Sequence, residues 1–394
     1  MTVKINKKVF GTLFFSLLAT ITGVGIVVPL LPVYARNMGA GGLYIGLIFG
    51  AFSISRTFLL PFFGRWSDRR GRKPFIITGL FCYALVSVAF ILFTQVYQLI
   101  IIRFFQGIAS AMVMPVIQAY VGDITPKGRE GFVMGLFNMS LFFGLSLGPV
   151  AGGFINDHIN LKAAFVCMGV LAMVGAVLSL WLLPATRDEA GLGRGRPPLQ
   201  WTAIIGDRVI VGLFAFRLAY TAGIGIIWGF LPVLADAQFH LSSSRIGILV
   251  MLGVLVSGLI QTPMGYLADR INRKAMVVTG GLLAGLAVLS YQWAGSHAQL
   301  YVASIAFGLG GGTAMPAVMA VAVLKGHQTE SMGSVMAVLT VAHSLGMLLG
   351  AVMAGVMMDW YNLRGAFGLG AGCMLLGLIV FYGSVYGTSI DAQK

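Results

Sequence analysis

The chain has 394 residues, 58% of them hydrophobic and 10% charged, with a mean hydropathy of +0.91. Soluble domains run at roughly 45–50% apolar and about 25% charged, so a water-soluble enzyme, a disordered tail and a nucleic-acid-binding domain are excluded. The formal charge of +14 then reads as Lys and Arg concentrated in the cytoplasmic loops of a membrane protein.

A helix needs about 20 apolar residues to cross a bilayer. Twelve such runs are predicted, at 9–35, 43–64, 75–94, 97–121, 131–155, 162–184, 207–235, 245–266, 275–294, 299–324, 331–357 and 365–387. Lys4, Lys7 and Lys8 ahead of the first run resemble the start of a signal peptide. The run continues from Val9 past Val33 without a small-x-small cleavage site, so it is read as a retained span. Gly at 54 positions suits helices whose backbones approach closely. Cys82, Cys167 and Cys373 sit inside apolar runs with no pair spacing and read as small apolar fillers. The stretch from Pro184 to Gly206 is rich in Gly, Pro and charge and reads as a linker. The expected architecture is an all-α membrane protein with twelve transmembrane helices in two six-helix bundles. The bundles are residues 1–184 and 207–394, and the cytoplasmic linker is 185–206.

With the N-terminus inside, nineteen of the 26 Lys and Arg fall on the inner side and four on the outer. Both termini are therefore expected in the cytoplasm, with the chain in the cell membrane. The remaining three, Arg56, Arg103 and Arg217, lie within spans.

The two halves repeat. Gly23-x-Gly25…Leu31-Pro32-Val33 returns as Gly223-x-Gly225…Leu231-Pro232-Val233, and Gly64…Asp68-Arg69 as Gly265…Asp269-Arg270. Gly107…Met114-Pro115 returns as Gly308…Met315-Pro316, and Asp157…Asn160-Leu161-Lys162 as Asp359…Asn362-Leu363-Arg364. These offsets of 200 to 202 indicate duplication. Six spans per half give both halves the same topology, related by an axis along the membrane normal.

The segment Gly64-Arg65-Trp66-Ser67-Asp68-Arg69-Arg70-Gly71-Arg72-Lys73-Pro74 closely resembles the loop 2–3 signature of the major facilitator superfamily. Arg103-x-x-Gln106-Gly107 is similar to that family's span-4 motif. Gly144-x-x-x-Gly148-Pro149-x-x-Gly152-Gly153 resembles the antiporter motif of its drug-efflux branches, and Pro29 and Pro32 fit the twelve-span drug:proton antiporters. The resemblance covers the whole chain. It implies the major facilitator fold, alternating access, and a conformational latch made of Gly64, Asp68, Arg69, Gly71, Arg72 and Asp123. Asp68 would cap the start of span 11 near Ser331 and Gly333, Arg72 would pair with Asp123, and Asp269 and Arg273 would form a weaker copy. Arg103 would take part in proton coupling.

Gly144, Gly148 and Gly152 share one helix face by their spacing. Span 8, with Gly253 and Ser257–Gly258, is the expected partner. Pro149 removes a backbone donor there. An arginine is costly in lipid and marks a cavity or a partner. Arg217 is expected to snorkel to the cytoplasmic side. All twelve Asp and Glu fall in loops or at span ends, which departs from exporters of cationic drugs and tilts the cargo toward neutral or anionic amphipaths. His343, midway along span 11, is the titratable candidate within a span. Gln106, Asn138 and Trp228 are the first candidates for a drug-sized cavity.

The expected activity is secondary active transport, most plainly proton-coupled export of drug-like or amphipathic small molecules. The alternative is an exporter or flippase of an endogenous anionic or lipid-like metabolite that uses the cavity arginines. No catalytic triad, acid/base pair or metal cluster has the required spacing, so neither an enzyme nor a cofactor is expected. The expected partners are an amphipathic substrate, protons and lipid, with no nucleic acid, and the chain is expected to be a monomer.

Overall fold

The computed structural model describes residues 6–125, 130–184, 206–268, 270–329 and 332–386. Among them, twelve helices are long and apolar enough to cross a membrane. These are α1 (Lys7–Asn37), α2 (Gly42–Arg70), α3 (Arg72–Leu92), α4 (Val96–Asp123), α5 (Glu130–His158) and α6 (Leu161–Leu182). The second set is α7 (Arg208–Phe239), α8 (Ser243–Ala268), α9 (Arg273–Ser290), α10 (His297–Gln328), α11 (Met332–Trp360) and α12 (Gly365–Val385). The twelve expected spans are therefore all present, and the all-α membrane fold holds.

Helix starts follow from short polar side chains that occupy the unsatisfied amides of the first turn. Asn6 accepts from Lys8 and Val9 at the head of α1. Asn160 and Asp207 do the same for α6 and α7, and Asn272 and Ser296 for α9 and α10. The duplication reaches this level: Asn160 accepts the Ala163 amide at 2.8 Å, and its repeat mate Asn362 accepts the Gly365 amide at 2.7 Å.

One expectation is corrected. The signature 64–74 is almost entirely helical, because α2 continues to Arg70 and α3 begins at Arg72. Trp66 extends the apolar side of α2 by packing on Phe62, Phe63 and Phe75, and Arg70 lies 4.9 Å over its ring. Only Gly71 breaks the helix, at φ +88° and ψ 154°. That backbone region is open essentially to glycine alone. Its repeat mate Asn272 instead takes φ −65° and caps α9.

The chain forms two compact units. Of the described residues, the first holds 6–39, 51–125, 130–184 and 241–251, and the second holds 40–50, 206–240, 252–268, 270–329 and 332–386. In the first, α1 packs on α5 and α6, and α3 on α4 and α6. Its core is built on Leu13, Leu17, Tyr83 and Tyr120, and Phe90 stacks on Phe165 at 5.0 Å. In the second, α7 packs on α11 and α12, and α9 on α10. There Tyr220 stacks on Phe307 at 5.4 Å, and Tyr291 shares a 2.8 Å hydrogen bond with Ser304.

Candidate functional site

In the first unit, Gly107 brings α4 against α2. A side chain on Gly107 would collide with Ser55 and the Phe52 carbonyl. That approach sets the Phe52 ring 4.5 Å from the guanidinium of Arg103. Arg103 donates to Gln106 Oε1 at 2.7 Å, one turn along the same face. Gln106 passes a contact on to Met168 Sδ at 3.9 Å. Arg103 is only 3% exposed and Gln106 0%. The span-4 motif is thus a closed polar chain inside the unit and not an open ligand.

Arg56 lies on α2, half-buried. Its Nη2 reaches Met114 Sδ at 3.8 Å, and its buried Nε has no hydrogen-bond partner.

In the second unit, Arg217 projects into the protein. Its Nη1 lies 2.6 Å from Met315 Sδ and its Nη2 3.4 Å from His343 Nδ1. This corrects the expected snorkelling: an internal thioether and an imidazole hold the guanidinium within α7, α10 and α11. A guanidinium only donates, so His343 Nδ1 accepts and that contact requires Nδ1 to be unprotonated. Met114 and Met315 are repeat mates, so the same register of each half faces an arginine, supplied by α2 in one unit and by α7 in the other.

In the latch segment, Arg72 is the hub. It pairs with Asp68 at 2.5 Å and Asp123 at 3.1 Å, and donates to Ser67 Oγ at 2.8 Å. Arg69 is exposed and Gly64 half-buried. Ser331 and Asp269 lie outside the described residues.

The glycine stripe of α5 faces α1, which corrects the expected packing on Gly253 and Ser257–Gly258 of α8. A methyl on Gly148 would lie 2.5 Å from the Thr22 carbonyl oxygen and 2.7 Å from Gly25 Cα. Gly144 meets Ile21 and Gly152 meets Ile26 in the same way. The reason is complementarity, since Gly25 offers the matching small surface on α1. Gly253 and Ser257 instead receive Gly308 of α10. The motif does reach α8 through its other face, where Gly153 adjoins Ser243, and the Pro149 carbonyl adjoins Gly247.

That face ends in a clasp. Asp157 accepts the amides of Ser243 at 3.0 Å and Ser244 at 2.8 Å, and Asn156 donates to Ser243 Oγ at 2.8 Å. In the second unit Asp359 accepts the amides of Gly42 at 2.6 Å and Leu43 at 2.8 Å. Gly355 there adjoins Gly42, and Gly46 adjoins the Ala351 carbonyl.

A family model described as the Major Facilitator Superfamily matches residues 13–222 and 213–390. The chain belongs to the Major Facilitator Superfamily. It is 27% identical over 364 residues to an uncharacterised transporter of that superfamily from Methanocaldococcus jannaschii, covering 90% of this chain and 92% of that one. It is 28% identical over 396 residues to multidrug resistance protein 2 of Bacillus subtilis, covering 95% of this chain and 94% of the relative. Its fold matches the crystal structure of a bacterial homologue of the human lysosomal transporter Spinster, with a TM-score of 0.83 at 14% identity over 99% of both chains. This facilitator is a multi-pass membrane transporter.

Sequence reasoning on this facilitator missed three relationships. The clasps were visible only as the repeated Asp157 and Asp359, with no role attached. The two Met–Arg contacts were visible only as the repeated Met-Pro pairs. The Arg217–His343 contact joins residues 126 apart, and no local pattern announces it. Of the remaining cavity candidates, Trp228 is half-buried and Asn138 is exposed.

Proposed function

We propose that the chain is a proton-coupled exporter of amphipathic small molecules that works by alternating access. The observation that carries the coupling is the Arg217–His343 contact. Histidine is the side-chain type that exchanges a proton most readily under physiological conditions, and His343 is placed against a guanidinium. Protonation at Nδ1 removes the acceptor that Arg217 uses and releases the guanidinium. The cargo class draws support from the relative in Bacillus subtilis, which is named for multidrug resistance and aligns over nearly the full length.

In this reading the six-span bundles 1–184 and 207–394 alternate, with linker 185–206 and both termini in the cytoplasm. Gly64, Asp68, Arg69, Gly71, Arg72 and Asp123 form the latch. The stripe Gly144, Gly148, Pro149, Gly152 and Gly153 is the tight contact that limits leakage. Arg103 and Gln106 serve coupling from inside their unit, and Trp228 and Asn138 belong to the cargo path. The working form is a monomer in the cell membrane.

Retention of a fluorescent amphipathic dye by cells tests the reading. Cells producing the protein should retain less dye than cells with an empty vector, and a protonophore should abolish the difference. Equal retention would count against export.

A further inference from the structure

The three arginines within spans differ in how well the protein satisfies them. Arg103 has Gln106 and the face of Phe52. Arg217 has Met315 and His343. Arg56 has the Met114 thioether at 3.8 Å and a buried Nε with no acceptor. A thioether is a weak acceptor, so Arg56 is the least well satisfied of the three. Among the described residues every Asp and Glu lies within three residues of a helix end, so none of them stands mid-span to neutralise it.

Its direction is set by α2 itself. Ile54, Phe58 and Phe62 are exposed by 37%, 77% and 55%. They recur every four residues, which makes one apolar stripe. Arg56 stands two residues from Ile54 and two from Phe58, about 200° around the helix. The guanidinium therefore points away from the apolar stripe. It is half-buried, whereas Arg103 is 3% exposed, so Arg56 is the more accessible of these two cations in the first unit.

The Arg56 Nε is buried, so an anion would meet this half-buried guanidinium at its Nη edge, which presents two N–H donors in a planar fork. Met114 beside it is an adaptable apolar surface for what the anion is attached to. We propose that Arg56 is the headgroup subsite of the transporter and that its cargo is an amphipathic organic anion, bearing a carboxylate or sulfonate on an apolar body. The inference rests on the exporter reading, because Arg56 must be reached by a cargo.

Three probes with one fluorophore separate the possibilities: dansylglycine (anionic), dansylamide (neutral) and dansylcadaverine (cationic). Their binding to the purified full-length protein in nanodiscs is measured by fluorescence titration. The wild-type protein should prefer dansylglycine. Arg56→Gln should weaken dansylglycine by at least about tenfold, the scale for losing one partner of a desolvated charge pair, and leave dansylamide unchanged. Arg56→Lys should restore part of the loss, and Arg103→Gln reports a general effect of removing a span charge. Equal dansylglycine affinity in Arg56→Gln and wild type would overturn the proposal. So would an absence of anion preference in the wild type, which needs no variant to fold. The exporter reading is judged separately. Gradient-driven transport of dansylamide without anion preference would sink the subsite alone, and anion binding without gradient-driven transport would sink the exporter reading alone.

Discussion

Asp157 accepts the backbone amide of Ser244 at 2.8 Å, so the last turn of α5 caps the first turn of α8. A carboxylate at a helix start satisfies orphan amides and meets the positive end of the helix dipole. Asp359 repeats the arrangement at Gly42 and Leu43. Asp157 is exposed, so the lower part of the capping range applies. Asp157→Ala should cost about 0.5–1 kcal/mol and speed hydrogen exchange at Ser243 and Ser244. The amides of Gly42 and Leu43 should keep their rates, because they belong to the other unit. Exchange mass spectrometry reads both segments in one experiment.

The stripe on α5 predicts a steric asymmetry among glycines. Gly148→Ala places a methyl 2.5 Å from the Thr22 carbonyl and should destabilise by about 1–3 kcal/mol, the usual cost of overpacking. Gly350→Ala, 2.6 Å from Ala222 Cα, should behave alike in the second unit. Gly135 has nothing within 4 Å, so Gly135→Ala should be neutral or slightly stabilising. Thermal unfolding of the three variants in detergent checks the order.

Gly71 is strained for any other residue. Its φ of +88° and ψ of 154° cost of order 1–3 kcal/mol for a side-chain-bearing residue. Gly71→Ala should lose about that much stability. Asn272→Gly should lose a few tenths of a kcal/mol, since only a cap on Ala275 is given up. A matched pair of melting curves tests the contrast. Arg72→Lys removes the fork that spans Asp68 and Asp123, and should slow transport several-fold while cargo binding is unchanged.

The His343–Arg217 contact predicts a pH signature. Transport by the wild-type protein should rise as the proton-supplying side is acidified. His343→Gln cannot titrate and should flatten that profile. Its cargo affinity should remain. Initial rates at a series of external pH values decide it, and an unchanged profile removes His343 from the coupling role.

Much of the fold is legible in the sequence. Membrane spans announce themselves because the bilayer demands about 20 apolar residues, and the duplication is written in Gly, Pro and Asp at a near-constant offset. The Arg72–Asp123 contact follows from the resemblance of the signature segment. What stays hidden has physical reasons. Hydropathy ends a span where charge begins, yet α2 runs on to Arg70 because Trp66 packs on Phe62 and Phe63 and Arg70 covers its ring. Spacing shows that Gly144, Gly148 and Gly152 share a face, but the partner is chosen by the complementary Gly25 on α1, far away in sequence. Arg217 reads as a cation near a membrane surface until Met315 and His343 are seen around its guanidinium.

In the proposed cycle a proton gradient drives cargo across the membrane. The most direct measurement uses purified protein in proteoliposomes with an acidic lumen, following an amphipathic fluorescent substrate and a lumenal pH dye together. Substrate should accumulate in the lumen as protons exit, with both fluxes abolished by nigericin and both blunted in His343→Gln. Substrate uptake that is the same with and without the pH gradient would contradict it.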